Sequence, residues 1–277
     1  MKLSFGCELA YRIAAPTVFI LNIEAAQIAT HRNLRDNLLL DPNLPRDSFT
    51  VPPFGNRYTR LTAQPGRLRI SYSGALDLQP ERTDPGNVAE VPIAELPLDI
   101  FAYLQASRFC ESDRLLDFAR EQFGAMEPGF SRVTAICNWI CANVEYRSGA
   151  SNAQTSAAET LAQRAGVCRD FAHLAVAICR ALDIPARFVS CYALGLQPGD
   201  FHAVFEAYLG GSWWLFDPTR QAALDGLVRI GIGRDAAEVA FASIYGSAEF
   251  EDMRVHIVAG DPQAEAGERT IEAVRTA

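Results

Sequence analysis

A chain of 277 residues, 49% hydrophobic and 21% charged, has the composition of a globular protein with ample material for a core. Its net charge of −8 and its lack of any basic cluster argue against nucleic acid or an anionic membrane surface as the main partner, since both demand concentrated Lys and Arg. No uninterrupted apolar run is long enough to span a bilayer, and the apolar patch at 13–23 follows Glu8 and contains a proline, unlike a secretory leader.

Residues 1–80 carry short alternating runs. CELAYRI, TVFILNIEA and RLRISYSGALDL favour strands, and PFGNRY and QPGR favour turns. The expectation is a small all-β, sandwich-like module, with His31 in polar, loop-like company at its surface. The proline-rich stretch that follows predicts a linker over 81–97. From 98 to 277 helical patterns come first and strands afterwards, an α+β domain.

SDRLLDFAREQF predicts one helix. SRVTAICNWICANVEY predicts a second, with Val133, Ile136, Cys137, Ile140, Cys141 and Val144 on one stripe. Cys137 and Cys141 stand at i, i+4, but with no second ligand pair nearby they read as core rather than as a metal pair. The seven cysteines, odd in number and mostly set in apolar runs, read as reduced thiols and hence as a cytoplasmic protein. Ser156 with Glu159 is a capping-box signature opening a short helix that ends near Gly166.

The next helix, GVCRDFAHLAVAICR, places Phe171, Leu174, Ala175, Ile178 and Leu182 on an apolar face, with Cys168 at or near the first helical position. Unpaired N–H groups and the positive end of the helix dipole would there favour a thiolate, and could hold an oxyanion formed by its attack on a carbonyl. From this stretch alone, a nucleophile and a buried structural cysteine fit equally well.

A nucleophilic thiol needs a base, and there are four histidines. His31 reads as surface and His256 as a strand residue in RVHIV. His173 lies about 140° round the helix from Cys168 and faces away from it. His202 remains, in the strand FHAVFEAYL, on the face opposite Phe201, Ala203, Phe205, Ala207 and Leu209. Gly210-Gly211 signals a two-residue hairpin loop, which pairs Leu209 with Ser212 and puts His202 opposite Thr219. Asp217 is then a diagonal neighbour of His202 on the same face. A three-residue loop would send Asp217 to the far face.

The segments GVCRDFAHLAVAICRALDIPARFVSCYALG and DFHAVFEAYLGGSWWLFDPTR together resemble the transglutaminase-like superfamily of papain-fold enzymes, in its bacterial branch of candidate cysteine proteases. The resemblance is close over 130–221. VRIGIGRDAAEVAF is similar to the branch's tail, and residues 1–80 more loosely to its N-terminal β-sandwich. It implies a papain-like catalytic domain with Cys168 as nucleophile, His202 as general base and acid, and Asp217 as orienting carboxylate. Val204 departs from the tryptophan many relatives carry after the His-Ala pair, which bears on the substrate wall.

Asp170 suits the first helical turn electrostatically and reads as structural. Gln163, a possible oxyanion donor, reads better as a surface helix residue, and Tyr146 and Asn152 are weak candidates for lining the cleft. Trp213 and Trp214 alternate faces, one in the core and the other a possible border of the cleft. No cofactor or metal is implied, and no acidic loop reads as a calcium site. The expected partner is a peptide or protein amide. Hydrolysis is preferred, with acyl transfer or a non-catalytic binding role as the alternatives.

Overall fold

In the computed structural model, which describes residues 1–261 and 272–276, the first strand already shows how the N-terminal region folds. In β1 (Lys2–Ile13) every odd position from Leu3 to Ile13 is buried, at 3% exposure or less. Strand periodicity sends alternate side chains to one face, and burying each such residue is worth about 1.5–3 kcal/mol. β2 (Thr17–Leu21), β3 (His31–Asp41), β4 (Arg46–Val51), β5 (Asn56–Ala63) and β6 (Gly66–Leu78) complete the early strands. β3 was not expected from its polar sequence. It lies at a sheet edge, where charged outward positions are tolerated. His31, expected at the surface, is buried instead, its Nδ1 2.8 Å from Ala26 O.

The stretch read as a linker is fastened down over its first ten residues, 81–90. β7 (Glu81–Thr83) opens it, Val88 is buried, and Val88 O accepts from Phe130 N–H while Ala89 O accepts from Gly210 N–H. Glu90 pairs with Arg132 and accepts from Gly129 N–H.

The helices follow as α1 (Leu116–Phe123) and α2 (Phe130–Asn143), then β8 (Glu145–Tyr146), α3 (Ala157–Gln163), β9 (Ala165–Gly166) and α4 (Cys168–Ala181). The capping box forms: Ser156 N–H donates to Glu159 Oε2 at 2.9 Å, and Glu159 N–H points back to Ser156 Oγ. α4 is buried all round from Asp170 to Ala181, not only on the predicted stripe. It packs on a central antiparallel sheet ordered β12-β11-β10-β13, built from β10 (Ala186–Ala193), β11 (Phe201–Leu209), β12 (Ser212–Phe216) and β13 (Leu227–Gly233). Cys141, read as core, is exposed: Ile140 and Val144 on either side of it in sequence stay buried, and Cys141 falls on the flank of the stripe, where α2 faces outward.

The chain then returns to its beginning. β14 (Ala242–Tyr245) pairs with β2, and β15 (Ala248–Ala259) pairs with β1, so one sandwich sheet runs β15-β1-β6-β3 and the other β14-β2-β5-β4. β16 (Ala273–Arg275) pairs with β7. Residues 242–259, grouped by sequence with the second domain over 98–277, therefore complete the first. The two regions also share a core: Tyr192, Val228 and Ile230 of the central sheet pack among the sandwich side chains, and Tyr192 Oη donates to Ile23 O at 2.7 Å.

Candidate active site

α4 starts at Cys168, the position expected for it, with Val167 as its extended N-cap residue. What holds this start is Asp170. Its Oδ2 accepts from Val167 N–H at 2.8 Å and from the Ser151 hydroxyl, and its Oδ1 pairs with Arg169 at 2.9 Å. Gly166 is required by that arrangement, since a Cβ there would stand 2.7 Å from the Asp170 Cβ. Asp170 thus fixes the loop that presents the thiol, in keeping with its structural reading.

The hairpin forms as the Gly-Gly pair predicts. Gly210 and Gly211 both have positive φ, at 56° and 80°, and Leu209 pairs with Ser212. That register carries Asp217 to His202, where His202 Nε2 lies 3.1 Å from Asp217 Oδ2. The carboxylate is clamped from its other side by Thr219 N–H and Oγ1, by Gln221 N–H and by Ala222 N–H. Burial alone would raise the Asp217 pKa, but the hydrogen bond and charge of His202, with these donors, hold it below the ordinary value. An ionised carboxylate only accepts, so Nε2 must be the protonated nitrogen.

His202 Nδ1 is left buried, with no hydrogen bond of ordinary geometry among the described residues. Cys168 is its neighbour: the thiol sulfur lies 4.0 Å from the carbonyl oxygen of Phe201, the residue before His202. Burial pulls the imidazole pKa down. Hydrogen bonding and charge from Asp217 and Cys168 outweigh it and carry the value up to about 10. Cys168, His202 and Asp217 therefore come together in space, His202 bonded to Asp217 and neighbouring Cys168.

The other candidates separate clearly. Tyr146 reaches the site: β8 pairs it with Gly166, its ring meets Phe171 at 5.7 Å, and burial followed by the charge of Cys168 pushes its phenol up. Gln163 is exposed at the end of α3. Asn152 braces its own loop, accepting from Gln154 N–H and Arg169 Nη2. His173 is sealed between Phe109 and Phe188 and accepts from Ala236 N–H, with burial pressing its pKa to about 3. Trp214 packs in the core, whereas Trp213 covers Arg187 at 4.0 Å near the hairpin tip. Paired with Tyr208, Trp213 sits about 20 Å along the strand from His202, too far to border the thiol. Sequence reading missed the Thr219 clamp, although Asp-x-Thr spacing is itself a turn signal. Among the described residues, no group of three or more His, Cys, Asp or Glu side chains is placed to hold a metal ion.

Comparison with known proteins agrees over both regions. The family described as the transglutaminase-like superfamily matches residues 117–218, and the bacterial transglutaminase N-terminal domain matches residues 1–99. The crystal structure of a candidate cysteine protease from Cytophaga hutchinsonii is 41% identical, with a TM-score of 0.92 over 99% of this chain and 96% of that one. An uncharacterized protein of Mycobacterium leprae is 34% identical over 136 residues, 44% of this chain and 47% of the relative. One of Mycobacterium tuberculosis is 32% identical over 143 residues, 46% of each. The match spans about half the length of these mycobacterial relatives.

Proposed function

The chain belongs to the transglutaminase-like superfamily, and we propose that it is a cysteine-dependent amide hydrolase acting on peptide or protein substrates through Cys168, His202 and Asp217. The observation that carries this reading is the His202 ring, tied at Nε2 to a clamped carboxylate and left with a bare Nδ1 beside a thiol at a helix N-terminus. Nδ1 takes the thiol proton. The sulfur attacks the amide carbonyl, forming a C–S bond and an oxyanion that faces the first N–H groups of α4. The C–N bond then breaks, and the amine leaves with the proton returned by His202. Water attacks the thioester, giving its proton to Nδ1, and the C–S bond breaks to release the acid and restore the thiol.

Hydrolysis is favoured over transfer to a second amine because Cys168 is partly open to solvent and because the Cytophaga relative carries a protease description. Among the described residues no helix is long and apolar enough to cross a membrane. With all seven cysteines unpaired, a reducing, cytoplasmic setting fits this chemistry.

Cys141 provides an internal control, being exposed but remote in role. At neutral pH iodoacetamide is expected to modify Cys168 at least about 10²-fold faster than Cys141, the scale of a positioned base, and His202→Ala should erase the difference. Equal rates at the two thiols would sink the reading. Peptide-amide turnover with and without an added primary amine then separates the outcomes: free acid alone means hydrolysis, whereas amine incorporation means transfer.

A further inference from the structure

The strand order of the second sandwich sheet leaves β14 at an edge. Asn22 N–H donates to Phe241 O, and Ala242 pairs with Leu21. In an antiparallel ladder the hydrogen-bonding groups alternate, so the N–H and C=O of Ala242 and Ile244 point away from β2. Phe241, Ile244 and Tyr245 on this edge are 37%, 38% and 63% exposed. Edge strands are ordinarily guarded by Lys, Pro or a bulge, and the run Ala-Ser-Ile-Tyr contains none of these.

This unguarded edge runs to the nucleophile. The Phe241 ring lies nearly flat on that of Phe201, with centroids 5.3 Å apart and planes at 19°. Phe201 is backed in turn by fully buried Tyr192, at 5.5 Å. The Phe201 carbonyl is the group 4.0 Å from Cys168 Sγ. A stack of three rings thus leads from the interior out to a solvent-facing shelf, and its middle residue carries the carbonyl beside the thiol.

We propose that the outer edge of β14 and the Phe201–Phe241 shelf bind an extended peptide substrate, which adds as a further strand and lays a large apolar side chain on Phe241. Strand addition supplies main-chain hydrogen bonds at Ala242 and Ile244 whatever the substrate sequence, and the shelf supplies the side-chain preference. A small amide could use neither feature fully, whereas a peptide spans both. The inference rests on Cys168 as the reacting group, but binding can be measured without the chemistry.

The test uses the full chain carrying Cys168→Ala and two fluorescein-labelled octapeptides, one with a central Phe and one with Glu in its place, read by fluorescence anisotropy. The Phe peptide should bind at least about tenfold more tightly, as burial of one large apolar side chain implies. Phe241→Ser should remove that preference. Ile244→Pro deletes only an outward N–H, leaving the β2 ladder whole, and should weaken both peptides alike by a few-fold. Equal affinity for the two peptides, no binding of either, a preference that survives Phe241→Ser, or a dimer in sedimentation that Ile244→Pro dissolves would each overturn the proposal. If the preference holds while wild-type Cys168 alkylates no faster than Cys141, the hydrolase reading falls and the peptide-binding edge stands.

Discussion

Asp217 accepts five hydrogen bonds, from His202 Nε2, Thr219 N–H and Oγ1, Gln221 N–H and Ala222 N–H. With so many donors the carboxylate stays charged, and its charge fixes which imidazole nitrogen carries the proton. Asp217→Asn preserves the shape but offers an amide N–H where only an acceptor served. Nε2 can then become the acceptor, Nδ1 takes the proton, and the thiol loses its base. Amide turnover should fall about 10²–10⁴-fold, the scale of a wrong tautomer, with the near-UV circular dichroism of the wild type retained. A drop below tenfold would mean that Asp217 only braces the loop.

At the scale of elements, the Gly210–Gly211 turn and the β12 side chains both specify the same register. Slipping β12 by one residue would carry Trp214 and Phe216 out of the core, each forfeiting about 1.5–3 kcal/mol. A bulged loop costs less than that. A glycine inserted between Gly210 and Gly211 is therefore expected to be absorbed in the turn, leaving the Cys168 alkylation rate within about threefold of wild type while the Tm falls by a few degrees. Loss of the rapid alkylation would show that the turn alone sets the register. This redundancy also explains why α4 and the β11–β12 hairpin could be read from sequence: their signals (Gly166-Val-Cys168 and Gly-Gly) are local. β13 could not, because all seven of its residues are buried and the glycines at 231 and 233 weaken its strand signal. The burial of His31 could not either, because Ala26 O and the packing around it are set by tertiary structure rather than by neighbours in sequence. Cys141 shares the three- and four-residue spacing of the stripe but stands on its flank, and the spacing alone does not tell flank from centre.

Across the whole molecule, two histidines are held neutral by burial, His31 with a pKa pressed to about 4 and His173 to about 3. Both sit below the ordinary value of about 6.5, so between these limits the unfolded chain binds more protons than the folded one. The penalty from these two groups is then absent above pH 6.5 and grows as the pH falls, by up to about 1.4 kcal/mol per pH unit for each. His202 acts in the opposite sense, its raised pKa of about 10 favouring the folded state below that value. Urea unfolding measured from pH 4 to 6.5 should show a shallower slope for His31→Gln than for wild type; an unchanged slope would mean that His31 titrates normally. The closure of the sandwich by its last strands has a further consequence, for biosynthesis. Leu3 pairs with Ala259, 256 residues later. At about 5–20 residues per second, a ribosome needs on the order of tens of seconds to deliver the partner of the first strand. Through that interval the β1 edge that will meet β15 stands open on the nascent chain, and the sandwich cannot close until the segment after the catalytic region has been made.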